Sequence, residues 1–326
     1  MKYFFTGIFI ISFFAVVFAM PVFALTISPA KLEITGDPGT TINSEFELFN
    51  EQLDSKILYS SFSNFDSDGE TGAPHFTASD TGLASWIKTD SSISLASNEK
   101  RTINFSVTIP KDAEPGGHFA AIFWGTQSPE SQDGGQVSIG GKLGILVLLR
   151  VSGYVKEGSD LLGFGAKNNQ KIFSTLPISL EYRINNSGGD RIIPTGQVII
   201  RNLKLWNTAT LLANKKIGSV LPGSVRKFEV VWGNNQLEND KKVSNSGFLT
   251  SAMYQLFNFH LGWYSAELSV VIAQDNEPIK KSFSFFVIPW QLLSIILLLF
   301  ILFGGLGTVG LKRYNRWIIK KATQKT

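Results

Sequence analysis

Apolar and polar residues alternate with period two through most of the middle of the chain. Residues 41–48, 101–109 and 178–184 each set an apolar side chain at nearly every second position, the pattern of a strand that buries one face. Residues 144–151 are apolar more continuously, which predicts a central or closing strand covered on both faces. Turn formers separate these segments: Gly36-Asp37-Pro38-Gly39, residues 66–74, Pro115-Gly116-Gly117, Asp133-Gly134-Gly135, residues 185–190 and Leu221-Pro222-Gly223. Helical spacing is rare. Residues 248–259 fit a short helix or an irregular loop equally, and residues 234–255 form either a long loop or added secondary structure. Many short strands parted by turns predict an all-β sandwich fold.

Two of the patterns recur. Lys100-Arg101 followed by Ile103-x-Phe105-x-Val107 matches Arg226-Lys227 followed by Phe228-x-Val230-x-Trp232, each introduced by a turn after Leu95 or Leu221. Further on, Gly117-x-Phe119-x-Ala121 aligns with Gly262-x-Tyr264-x-Ala266, which puts His118 at the place of Trp263. The repeat predicts two tandem immunoglobulin-like β-sandwich domains, residues 25–155 and 156–287, with a junction near 155–160. Strand alternation turns Phe228, Val230 and Trp232 to one inward face, joined by Tyr264 from the next strand, and turns Trp263 to the opposite face.

The two ends follow a different rule. Lys2, an apolar run over residues 3–18 and the small-residue pattern ending at Ala24 predict a signal peptide over residues 1–24. From Ser282 to Leu311 no residue is charged, and residues 288–311 are expected to form one transmembrane helix. The stretch from Trp290 to Leu311 would run roughly 33 Å as a helix, against a hydrocarbon core of about 30 Å. Trp290, Tyr314 and Trp317 sit where interfacial aromatic belts form. Lys312, Arg313, Arg316, Lys320 and Lys321, with Lys325, give the tail over residues 312–326 a positive charge with no acid to offset it. That bias predicts a single-pass protein of the cytoplasmic membrane, with residues 25–287 outside and the C-terminus in the cytoplasm.

This layout changes the meaning of the charge. The chain has 30 basic and 26 acidic residues, a formal net charge of +4. Seven of the basic residues, Lys2 and the six of the tail, lie outside residues 25–287, and no acid does. The exported part therefore carries 23 basic against 26 acidic residues, a net of −3, which argues against a nucleic-acid partner. Cysteine is absent, so disulfides, thiolate metal sites and cysteine nucleophiles are excluded, and a bacterial type of envelope is favoured.

Candidate chemistry is sparse. His75, His118 and His260 are far apart in sequence and lack zinc-site spacing, no Gly-x-Ser-x-Gly elbow accompanies them, and the glycine pairs near residue 134 and at 140–141 read as hairpin material. No enzyme activity and no cofactor are expected. One loop has oxygen donors at alternate positions before a glycine: Asn64, Asp66, Asp68 and Glu70 resemble the opening of a calcium loop, although His75 stands where a bidentate Glu would close it.

The residues also carry a family resemblance. Leu25-Thr26-Ile27-Ser28-Pro29-Ala30-Lys31-Leu32-Glu33, then Asp37-Pro38-Gly39, Leu83-Ala84-Ser85-Trp86-Ile87, Ile109-Pro110-Lys111 and Pro115-Gly116-Gly117-His118-Phe119-Ala120-Ala121-Ile122 resemble the DUF916 family, the peptidoglycan-binding domain of WxL-interacting surface proteins. The resemblance implies a signal peptide, two Ig-like domains, a membrane helix and a short basic tail, and a wall polymer or another surface protein as partner. The expected function is non-catalytic binding or scaffolding at the cell surface; the alternative is a chaperone-like or accessory subunit of an envelope complex that uses sheet-edge pairing.

Overall fold

The computed structural model describes residues 25–77, 79–127, 141–233, 247–272 and 277–323, with side chains as far as Ile318. The signal peptide over residues 1–24, Gly134-Gly135 and Lys325 lie outside the described residues. Two compact units result: the first ends at Glu157, and the second begins at Gly158 and takes in Gly69–Gly72. Both are β-sandwiches, and the chain is all-β apart from its short helices and the apolar C-terminal helix.

In the first unit one sheet has the order β1 (Leu25–Ser28), β3 (Thr41–Asn50), β8 (Lys100–Thr108), β6 (Ile87–Thr89). The other runs β2 (Lys31–Gly36), β10 (Lys142–Val151), β9 (Gly116–Gly125), β4 (Lys56–Asp68), β5 (Ala73–Thr77), with β7 (Ser92–Leu95) also on β4. All pairs are antiparallel except β2 with β10. The alternating segments close on each other as their pattern requires: Phe46, Leu48, Ile103, Phe105 and Val107 from one sheet meet Leu58, Ala120, Ile122, Trp124, Val147 and Leu149 from the other. A single-turn helix, α1 (Gly82–Trp86), adds Leu83 and Ala84 to that core.

The second unit repeats the layout. One sheet is β11 (Ser159–Ala166), β13 (Ile178–Asn186), β16 (Ser224–Trp232); the other is β12 (Ile172–Phe173), β18 (Ile279–Val287), β17 (Gly262–Val271), β14 (Thr195–Asn202), β15 (Trp206–Leu212). Here β12 is parallel to β18, as β2 is to β10. Phe228, Val230 and Trp232 point into the core together with Tyr264, and Trp263 stays on the outer face, stacked on Phe286.

The recurrence of the glycine-led strand needs one correction. Val151 pairs with Gly116 and Val287 with Gly262, each at the open end of its own hairpin. Ala120, Ile122 and Trp124 are the core residues of β9, matching Ala266, Leu268 and Val270 of β17. Gly116, not Gly117, is thus the partner of Gly262, and His118 takes the place of Tyr264 rather than that of Trp263. The sequence contains Gly116-Gly117 and Ala120-Ala121, so both phases satisfy the same pattern, and a slip of one residue turns every side chain to the other face. The two leading glycines share a conformation that favours glycine, φ 125° and 119°.

One region left open by the pattern is helical, and residues 234–246 of the other lie outside the described residues. Residues 248–257 form α2 (Phe248–Phe257). The C-terminal helix α3 (Trp290–Thr323) begins two residues later than expected and does not stop at Leu311. No proline or glycine follows Gly310, and the lysines and arginines of the tail are good helix formers, so the backbone continues through the basic segment. Within α3, residues 290–318 are long and apolar enough to cross a membrane, and little of the helix is buried by the rest of the protein.

Candidate functional site

A strand at the edge of a sheet leaves half of its backbone groups without a partner, and proteins usually blunt such edges with charge, proline, bulges or brevity. Most edges here are blunted. The strands β1, β6 and β12 have four, three and two residues, β2 carries the Lys31–Glu33 ion pair at 2.6 Å, and β5 contains Pro74. The edge strand β11 is bulged between Leu161 and Gly163, and β16 bears Arg226, Lys227 and Glu229.

The strand β15 has no charge, no proline and no shortness to protect it, and its one irregularity is a register shift at Thr208, between the pairs Ile200–Ala209 and Arg201–Asn207. Its seven residues, Trp206-Asn207-Thr208-Ala209-Thr210-Leu211-Leu212, include no charge and no proline, and among the described residues it pairs with β14 alone. The Ala213 N–H donates to the Gly196 carbonyl at 3.0 Å, so by alternation Leu211 and Ala209 turn their backbone groups to β14 while Leu212 and Thr210 turn theirs outward. Ala209 and Leu211 pack on the core, and Trp206 and Leu212 are exposed.

The hairpin that carries this edge is strained. Leu203 and Lys204, at its tip, have φ of 48° and 60°, a region that glycine or asparagine usually fills in a two-residue turn of this kind. The turn is closed by Leu205 N–H donating to the Asn202 carbonyl at 3.0 Å, and Leu203 N–H donates to the Trp263 carbonyl at 2.8 Å. Leu203 and Leu205 are left exposed, and the Lys204 ammonium lies 5.3 Å from the centre of the Trp263 ring. An open uncharged edge is thus flanked by apolar side chains.

A second surface lies on the first unit. Asn43, Ser44 and Glu45 of β3, Lys88 of β6 and Asn104, Phe105 and Ser106 of β8 line an open depression of about 480 Å³. Its rim is polar, with one amine and one carboxylate, and Asn43, Glu45, Lys88 and Asn104 are exposed.

The calcium-loop candidates are not gathered around a common centre. Asn64, Asp66 and Asp68 lie on β4, where alternate residues are separated by roughly 7 Å, too far apart in an extended strand to ring one cation at about 2.4 Å. The Asn64 side chain accepts from Ala84 N–H at 2.9 Å and donates to the Thr81 carbonyl at 2.6 Å. The Asp66 carboxylate meets His75 Nδ1 at 2.9 Å, and Glu70 accepts from Arg183 Nε at 2.7 Å. Among the described residues no three His, Cys, Asp or Glu side chains could hold a metal ion together.

His118 bonds through Nε2 to the Glu114 carbonyl at 2.8 Å and packs on Trp86, while His260 meets the edge of Trp232. On the C-terminal helix, Trp290 meets the Phe248 ring at 5.7 Å, Tyr314 stacks on Trp317, and Lys312, Arg313 and Arg316 follow the apolar stretch. The β15 edge was missed by sequence reasoning. Its signal was the uncharged run from Leu205 to Asn214, which alternation alone does not assign to the rim of a sheet.

No family model matches the chain, and no curated protein matches it in sequence. Among solved structures it is similar to the class 5 fimbriae chaperone CfaA, at 9% identity over 79% of this chain and 98% of that one, TM-score 0.38. It is also similar to a Salmonella enterica structure of SafA pilin with the SafB chaperone, at 9% identity over 82% and 99%, TM-score 0.37. The Escherichia coli chaperone DraB is matched at 10% identity over 80% and 97%, TM-score 0.36. Scores of this size leave the fold resting on the chain's own strands and say nothing about what it binds.

Proposed function

We propose that this chain is a membrane-anchored, non-catalytic accessory protein of a bacterial envelope that holds an exported protein by accepting one of its segments as an added strand along β15. The observation that carries the reading is the open β15 edge, uncharged over its whole length and flanked by exposed Leu203, Leu205, Trp206 and Leu212. In such recognition the backbone bonds supply affinity and the alternate side chains supply selectivity. Membrane anchoring rests on the C-terminal helix, and the basic residues that follow its apolar stretch favour an orientation with the sandwiches outside.

A photo-crosslinking residue at Leu212, introduced into the full chain in intact envelopes, tests the proposal. The expected result is a discrete protein adduct that disappears when Thr210→Pro is added to the same chain, because proline removes the outward N–H of the edge. An adduct that persists unchanged, or no adduct at all, overturns edge pairing.

The depression on the first unit supports a second reading, that the first sandwich also holds wall polymer, as its resemblance to the DUF916 family implies. Polar side chains on an open sheet face suit a hydroxyl- and amide-rich polymer better than an apolar ligand. Sedimentation with purified peptidoglycan tests it: binding by residues 25–287 is expected to weaken with Lys88→Ala and Asn104→Ala together. Binding untouched by both substitutions would remove the depression from consideration.

A further inference from the structure

The helix α2 is turned the wrong way round for an aqueous surface. An amphipathic helix on a soluble domain buries its apolar stripe and shows water its polar one. Here Gln255 is fully buried beside Ala252, while Leu249, Met253, Leu256 and Phe257 are 54% to 79% exposed. Those four positions follow the i, i+4, i+7, i+8 spacing of a single helical stripe. No residue of α2 is charged, and Phe259 and Leu261 continue the exposed apolar surface beyond its end.

The buried polar residue explains what the helix is fixed to. Gln255 Oε1 accepts from the Leu292 N–H at 3.0 Å, satisfying one of the otherwise unpaired amides of the first turn of α3, and its Nε2 donates to the Gln291 side chain. Phe248 packs its ring against Trp290, the first residue of α3. The exposed stripe is therefore held beside the start of the apolar span.

We infer that α2 is an interfacial helix that lies in the leaflet facing the sandwiches, its Leu249–Met253–Leu256–Phe257 stripe in contact with lipid. This rests on the reading that α3 spans the bilayer. The choice of lipid over another protein follows from continuity: the stripe borders the point where α3 enters the membrane, and its absence of charge suits the boundary between headgroups and acyl chains. In an aqueous setting the same stripe would be a contiguous exposed apolar patch, which folded proteins seldom leave open. The second sandwich is then seated directly on the bilayer instead of standing off on a flexible stalk.

The chain contains no cysteine, so single spin labels can be placed without removing native thiols. Full-length Met253→Cys, Phe257→Cys, Thr210→Cys and Ile301→Cys, labelled and reconstituted in liposomes at low protein density, are compared for collision with oxygen, which partitions into lipid, and with a water-soluble nickel chelate. The oxygen-to-nickel ratio at Met253 and Phe257 is expected to exceed that at Thr210 by roughly severalfold, reaching a shallower depth than Ile301, as for a helix about 5–10 Å below the surface. If Ile301 is lipid-exposed but Met253 and Phe257 match Thr210, the interfacial helix is wrong while the span stands. If Ile301 itself is accessible to nickel, the span reading fails first. Spin–spin broadening at Met253 with low oxygen access would show that a second copy of the chain covers the stripe, and would also overturn the inference.

Discussion

Asn50 and Asn186 hold the same place in the two sandwiches, each the last residue of its strand and each fully buried. The Asn50 amide donates to the Asp54 carbonyl at 2.8 Å and to the Ala96 carbonyl at 2.9 Å, while its oxygen accepts from Gln52 N–H. The Asn186 amide donates to the Asp190 carbonyl at 2.8 Å and to the Val220 carbonyl at 3.0 Å, while its oxygen accepts from Gly188 N–H. In each case the side chain closes the turn that follows its strand, with donors two and acceptors four residues on. It also reaches the segment that leads into the neighbouring strand of the same sheet, β8 or β16, so one residue fastens two connections at the same end of the sandwich.

Replacing either asparagine by alanine removes these three side-chain hydrogen bonds, each worth about 0.5–1.5 kcal/mol: the Gln52 or Gly188 N–H loses its side-chain acceptor, while the Ala96 and Val220 carbonyls keep only the Glu99 and Ile192 N–H donors. Asn50→Ala and Asn186→Ala are each expected to cost about 2–3 kcal/mol in total, whereas exposed Asn43→Ala should stay within about 0.5 kcal/mol. Urea unfolding of residues 25–287 measures all three. Losses at Asn50 and Asn186 no larger than that at Asn43 would mean that the turns hold without their amides.

The two tryptophans of the second unit test the strand phase. Trp232 is buried against Tyr264, Phe285 and His260, so Trp232→Ala is expected to cost roughly 3–5 kcal/mol. Trp263 is 41% exposed and stacks only on Phe286, under Lys204; Trp263→Ala should cost about 1 kcal/mol, the scale of an exposed ring pair. Thermal unfolding that ranks the two in the opposite order would refute the assignment.

The difference between these residues was legible in the sequence because Phe228-x-Val230-x-Trp232 alternates without ambiguity. The strand beginning at Gly116 was not, since doubled glycines and doubled alanines leave its phase open and only the pairing of Val151 with Gly116 settles it. Asn50 and Asn186 gave no signal either: their partners lie four residues away and 34 to 46 residues away, as backbone carbonyls that no side-chain pattern marks. The calcium-like run from Asn64 was ambiguous for a related reason. Alternate oxygen donors before a glycine suit a metal loop and a solvated strand equally, and the pairing of Asp66 with His75 across β4 and β5 decides for the strand.

Alkaline pH probes the core of the second unit. Burial pushes the Tyr182 hydroxyl well above its ordinary value of 10.0, with nearby Arg226 acting in the opposite sense, and the hydroxyl donates to the Ala213 carbonyl at 3.0 Å. A raised folded-state value means that the unfolded chain loses this proton first, so the stabilisation is complete below pH 10 and is lost as pH rises toward the folded value. Tyr264 is shifted the same way by burial and adds to the effect. Tyr182→Phe is expected to cost about 1 kcal/mol at neutral pH and to flatten the decline in melting temperature above pH 10. A variant as alkali-sensitive as the parent would show that Tyr182 does not contribute.

The direction of the backbone groups along β15 gives a sharper test than exposure does, because two adjacent prolines should behave differently. Thr210 turns its N–H away from β14, so Thr210→Pro removes no bond of the ladder, as edge strands tolerate. Leu211 turns its N–H toward β14 opposite Val198, and Leu211→Pro breaks a ladder bond and forces the ring against the neighbouring strand. Leu211→Pro is therefore expected to cost about 3 kcal/mol or more, and Thr210→Pro about 1 kcal/mol or less, set by the modest adjustment of φ that proline imposes. Circular dichroism melts of residues 25–287 carrying each substitution would show it. If Thr210→Pro is the more damaging of the two, the edge is turned the other way and its outward groups belong to Leu211 and Ala209.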